Sequence, residues 1–128
     1  MTYVIVGAGP SGVVAAETLR KADPSLDVVL IGDEPEPPYS RMAIPYYLTG
    51  KIDEAGTYLR KTEGHYETKG IHYREGRVAS IDADTGKVAL EDGSSQDYSK
   101  LLICTGASPI KPPVEGLDSP GVHHCWTL

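Results

Sequence analysis

A chain of 128 residues suits one domain or part of one, and is long enough to bury a core. Eighteen acidic against twelve basic residues leave a formal net charge of −6, which speaks against long-range attraction to nucleic acid or an anionic membrane. Any phosphate site must therefore be built locally, from backbone amides.

Tyr3 to Val6 is a short β-branched run ending in glycine, the pattern of a central parallel strand buried on both faces. Gly7 to Gly12 follows as a glycine-rich turn, and a helix is predicted from Ser11 to Ala22. Val13, Val14, Ala16, Leu19 and Arg20 give it an apolar stripe with a charged far side, and Asp23-Pro24 stops it. Val28 to Ile31 is a second all-apolar strand. Strand, turn, helix and strand within about thirty residues make a βαβ unit with a right-handed crossover. The proline-rich stretch from Asp33 to Ser40 continues neither strand nor helix. Short helices are predicted over Met42–Leu48, closed by Gly50, and over Glu63–Lys69, closed by Gly70. Ile71 to Arg74 reads as a third parallel strand. Arg77–Asp82, Lys87–Glu91 and Ser95–Tyr98 are short segments split by Asp-Thr-Gly and Glu-Asp-Gly turns, which predicts an antiparallel meander. Leu101 to Cys104 is another buried apolar strand. After it, six prolines and glycines between Pro109 and Gly121 make an irregular tail. The fold class is α/β: a Rossmann-like βαβ unit with a parallel sheet and an antiparallel β-meander.

The motif with chemical content is Gly7-Ala8-Gly9-Pro10-Ser11-Gly12. A bare GxGxxG is weak evidence. Here it closes an apolar strand, opens a helix, and is followed some twenty residues on by acids, which is the context a dinucleotide fingerprint requires. Gly7 permits the turn, Gly9 lets a pyrophosphate reach the backbone, and Gly12 lets the helix pack on the sheet. Free amides and the positive helix end attract the phosphates, so Gly7, Gly9, Pro10, Ser11 and Gly12 are candidate cofactor residues. The ligand-free alternative is a tight strand-to-helix turn. Asp33 and Glu34 stand where a carboxylate takes the ribose hydroxyls, with the choice between them open; otherwise they form a solvated acidic loop.

Further motifs join these: Pro38-Tyr39-Ser40-Arg41, Tyr46-Tyr47-Leu48-Thr49-Gly50, and Leu101 to Pro109 with its Cys-Thr-Gly core. Together they resemble the first part of the FAD domain of pyridine nucleotide-disulfide oxidoreductase-like flavoproteins. The branch with ferredoxin and rubredoxin reductases and nitrite reductase large subunits is the nearest in pattern. The resemblance implies FAD as cofactor and NAD(P)H as co-substrate of the full-length family, with an electron-acceptor protein as partner. It implies that Arg41 reaches the flavin or its phosphates, that the Val78 backbone meets the adenine, and that Thr105-Gly106 passes close to the cofactor. It divides the chain into a first FAD-binding segment over 1–110 and a linker over 111–128 leading towards an NAD(P)H domain.

There are departures from the pattern. Cys104 replaces an alanine and reads as a small apolar residue, and Tyr46 stands where many relatives carry a lysine. Cys104 and Cys125 form neither a redox pair nor a disulfide framework, so a dithiol mechanism is not expected and a reducing cytoplasm is. The amino-terminal apolar run is too short for a signal peptide or a membrane span. His123-His124-Cys125 is a poor metal cluster, because adjacent residues rarely all face one ion. No second glycine fingerprint follows, so turnover by these 128 residues alone is not expected. The competing functions are a non-catalytic nucleotide-binding module or fragment, and an NAD-binding half of a simple dehydrogenase, which the meander and the Pro-Tyr-Ser-Arg loop disfavour. Segments missing relative to the family should leave an open sheet edge and a tendency to self-associate.

Overall fold

The computed structural model describes residues 1–128. Its elements run β1 (Thr2–Val6), α1 (Pro10–Ala22), β2 (Asp27–Gly32), a 3₁₀ turn (Arg41–Ala43) leading into α2 (Ile44–Leu48), a second 3₁₀ turn (Glu54–Thr57), α3 (His65–Thr68) and β3 (Ile71–Glu75). Then come β4 (Val78–Asp82), β5 (Lys87–Leu90), β6 (Ser95–Asp97) and β7 (Lys100–Ile103). The first sheet is parallel, in the order β3-β2-β1-β7; the second is the meander β4-β5-β6. No helix is long and apolar enough to cross a membrane.

The all-apolar strands follow from burial on both faces. Side chains alternate along a strand. Ile5, Val28 and Leu30 point to the helix side, where they pack with Val13, Ala16, Tyr66 and Ile71. Val4, Val6, Val29 and Ile31 point the other way, to Val88 and Leu90 of the meander. The meander is thus the second lid of the sheet, standing where a doubly wound domain would place a helix.

Two expectations need correcting, and one turn is new. Val14 is more than half exposed, because the helix meets the sheet through Gly12, Val13 and Ala16, and the next residue turns about 100° away. Leu102 and Ile103 are exposed rather than buried, since β7 is the sheet's edge strand with no neighbour beyond it. This open apolar edge is the feature on which self-association would rest. The turn at Glu54–Thr57 was not foreseen; the Asp53 carboxylate caps it by accepting from the Gly56 amide at 2.8 Å.

On its outer side α1 is tied to the loop before α3. Glu17 accepts from Arg60 through both oxygens, at 2.7 and 2.6 Å, and its Oε1 lies 2.7 Å from His65 Nε2. The Arg60 hydrogen bond is the chief cause that holds the Glu17 carboxyl down at about 2; partial burial opposes it and His65 adds to it. A carboxylate with a depressed folded pKa adds stability above its unfolded value, and that stability is lost as pH falls through the folded value. Glu17→Gln is therefore expected to cost roughly 1–2 kcal/mol at neutral pH, the range for a partly exposed charge-assisted bond. The gap to wild type in urea midpoint should close as pH falls from about 4.5 towards about 2. A gap that does not change with pH would sink this account.

Candidate dinucleotide site

β1 ends at Val6 and the chain turns at once. Gly7 has φ +107°, and a Cβ there would stand 2.3 Å from the Cys104 carbonyl oxygen, so only glycine fits. Its amide donates to Ile31 O at 2.8 Å, which binds the turn to the end of β2. Gly12 is the second close approach: a Cβ would lie 1.9 Å from Gly7 O. Gly9 differs. It is the N-cap of α1 in ordinary extended geometry, and a Cβ there would meet nothing within 4 Å. Its missing side chain opens onto a cavity.

Helix α1 begins at Pro10, one residue earlier than expected, with proline at the position where its missing N–H costs nothing. The first turn carries no side-chain cap and no acid. The amides of Ser11 and Gly12, in the first turn, have no intrahelical acceptor. A helix start with free donors and an uncountered dipole is an anion site.

The cavity, about 430 Å³, lies at the carboxyl ends of β1, β2 and β7 and reaches to the start of the meander. Gly7, Gly9, Pro10, Ser11, Asp33, Glu34, Arg41, Val78, Thr105 and Gly106 all line it; Gly12 lies beneath, packed against Gly7. The fold thus gathers residues from four separated stretches of the sequence. Val78 also packs partly buried against the core cluster under the meander.

The two acids differ in what they already hold. Glu34 is ion-paired to Arg41 and accepts from the Tyr39 hydroxyl. Asp33 is half-exposed, and its nearest cation is Arg77 Nη1 at 3.8 Å, beyond hydrogen-bond reach. Burial first, then the bond to Glu34, push the Tyr39 hydroxyl up to about 12, and burial does the same to Tyr73. Both are neutral at physiological pH. At Gly32, a Cβ would come within 2.5 Å of the Tyr73 hydroxyl, which explains why the acid falls one residue later.

Sequence reasoning passed over Tyr73, Arg77 and Trp126 and gave Tyr39 no role of its own beyond its motif; all four line the cavity. Trp126 is the most instructive, since its proline- and glycine-rich surroundings read as a linker. A lone tryptophan in a polar tail was the available signal. Cys104 also lines the cavity while packing among the core side chains under α1, consistent with its reading as a small apolar residue.

The family described as pyridine nucleotide-disulphide oxidoreductase matches residues 1–127. The chain belongs to this family. Among curated family relatives, subunit epsilon of the NADH-dependent phenylglyoxylate dehydrogenase of Aromatoleum evansii is 31% identical over 126 residues, 98% of this chain and 30% of its own length. Rhodocoxin reductase of Rhodococcus erythropolis is 36% identical over 129 residues, 99% of this chain and 30% of its own. A crystal structure of a ferredoxin reductase from Rhodopseudomonas palustris superposes with a TM-score of 0.87 at 31% identity, over 94% of this chain and 30% of that one. The chain therefore spans about 30% of the length of these relatives.

Proposed function

We propose that the cavity holds the adenosine-diphosphate half of FAD. The chain is then the first FAD segment of an NAD(P)H-dependent flavin oxidoreductase that passes electrons to a ferredoxin-type acceptor in the cytoplasm. The observation that carries this reading is Gly9. A helix start with free amides faces a cavity through the one glycine of the Gly7–Gly12 turn whose Cβ would meet nothing within 4 Å, so a pyrophosphate can approach the main chain. The names of the relatives support the redox class and the acceptor.

In this reading the amides of Ser11 and Gly12, with the α1 dipole, hold the pyrophosphate. Asp33 is the ribose carboxylate, because Glu34 is already engaged by Arg41 and Tyr39. The Val78 backbone lies beside the adenine, and Arg41 supplies a cation. Thr105 and Gly106 let the cofactor pass, and a Cβ on Gly106 would meet nothing within 4 Å. FAD, when bound, supplies the hydride-accepting chemistry, and the protein's part is position and electrostatics.

The test is a competition experiment on the purified chain. FAD is expected to bind with flavin absorption retained after gel filtration. ADP should displace it, while riboflavin, which lacks the adenosine and both phosphates, should not. Failure to take up FAD, or displacement by riboflavin as readily as by ADP, would overturn the assignment.

A further inference from the structure

Arg41 and Trp126 lie 85 residues apart in sequence and meet at the cavity wall. The Arg41 guanidinium carbon lies 4.3 Å from the centre of the Trp126 ring, and Arg41 Nε donates to the Trp126 carbonyl oxygen at 2.9 Å. The same tail is pinned again two residues on, where the Leu128 amide lies 3.4 Å from the Tyr39 hydroxyl. On its other side Arg41 pairs with Glu34 through Nη2. Nε and Nη2 are thus occupied, and Nη1 is the end of the guanidinium that hydrogen-bonds to no protein atom.

We propose that Trp126 is a positioning residue for Arg41, its ring and carbonyl fixing the guanidinium in the cavity wall with Nη1 left for an anionic oxygen of the cofactor. This inference rests on the FAD reading above. An unfixed arginine gives up side-chain entropy when it meets a ligand, and a prearranged one has already done so. The cation–π contact strengthens as the pair is shielded from water, which is the situation at a cavity wall.

Trp126 is the chain's single tryptophan, so the tryptophan emission comes from this residue alone. Without any nucleotide, Arg41→Ala should shift that emission and increase its quenching by acrylamide. Unchanged emission and quenching would overturn the proposal, whether or not FAD binds.

Calorimetric titration with FAD gives the second arm. Trp126→Ala should weaken binding about tenfold, as loss of one partly shielded cation–π contact would. Trp126→Phe keeps an aromatic face and the carbonyl, and should stay within about threefold of wild type. In an Arg41→Ala background, Trp126→Ala should cost nothing further, because the tryptophan acts only through the arginine. Equal costs in both backgrounds, or no cost in either, would refute the positioning role. Wild-type protein that takes up no FAD would sink the FAD reading, and the quenching arm would still decide the contact. Should Trp126→Ala fail to fold by circular dichroism, Trp126→Phe and the quenching comparison carry the decision.

Discussion

Gly9→Ala is expected to fold as wild type and to lose FAD binding by about 100-fold or more. Gly9 has φ −75° and ψ −176°, which alanine adopts without strain, and the added methyl would meet no atom within 4 Å. Alanine is a poorer N-cap than glycine, but it also restricts the unfolded chain, and the two effects, each up to about 1 kcal/mol, oppose each other. The ligand suffers differently. In the proposed FAD complex the methyl would stand where a pyrophosphate oxygen comes to reach the amides of α1. Losing two charge-assisted hydrogen bonds at about 1.5–3 kcal/mol each amounts to at least a 100-fold loss of affinity. Thermal melting and an FAD titration on one preparation check both halves. A variant that binds FAD normally would mean that the cofactor does not approach through Gly9.

Gly12→Ala should do the reverse, costing about 3 kcal/mol or more of stability. Its Cβ would sit 1.9 Å from Gly7 O, 3.1 Å from Gly7 C and 3.3 Å from Leu30 Cδ1. Two of these neighbours are backbone atoms, which cannot swing aside as a long side chain can. Carbon and oxygen need roughly 3.3 Å or more, so α1 would have to lift from the turn by about 1.4 Å. That shift disturbs the packing of Val13 and Ala16 on β1 and β2, where both are almost fully buried. Alanine's better helix propensity offers back only about 1 kcal/mol. Against a total stability of about 5–15 kcal/mol, the loss is severe. Urea unfolding measures it, and a midpoint equal to that of wild type would show that the helix does not rest on Gly7.

Much of this was legible in the sequence because local chemistry and global fold agree. The runs at residues 3–6 and 28–31 carry apolar side chains at every position because both faces of the sheet are covered. The turn from Gly7 to Gly12 announced its role because each glycine answers a separate steric demand. The acidic turns of the meander were readable for a similar reason: Asp82 and Asp92 accept backbone amides within three residues. What escaped depends on distant partners. The exposure of Leu102 and Ile103 is set by the position of β7 in the sheet order, which composition does not encode. Glu34 looked equal to Asp33 until the fold put Arg41 and Tyr39 against it. Trp126 lies far along a segment with no regular structure, and no periodicity announces where such a segment returns.

The sheet order carries a consequence for how the protein is made. β1 is synthesised first, yet one of its two neighbours, β7, pairs Val4 with Leu101 and Ile5 with Leu102. During translation that flank of β1 stays unpaired until β7 (Lys100–Ile103) has left the ribosome. β1 and β2 can join earlier around α1, since their pairing spans a short loop, whereas the β1–β7 contact must close a very long one. The glycine turn at the end of β1 is complete only when the Cys104 carbonyl arrives beside Gly7. A ribosome paused before residue 100 would therefore present a half-built glycine turn with an open strand beside it, a natural client for a holdase chaperone.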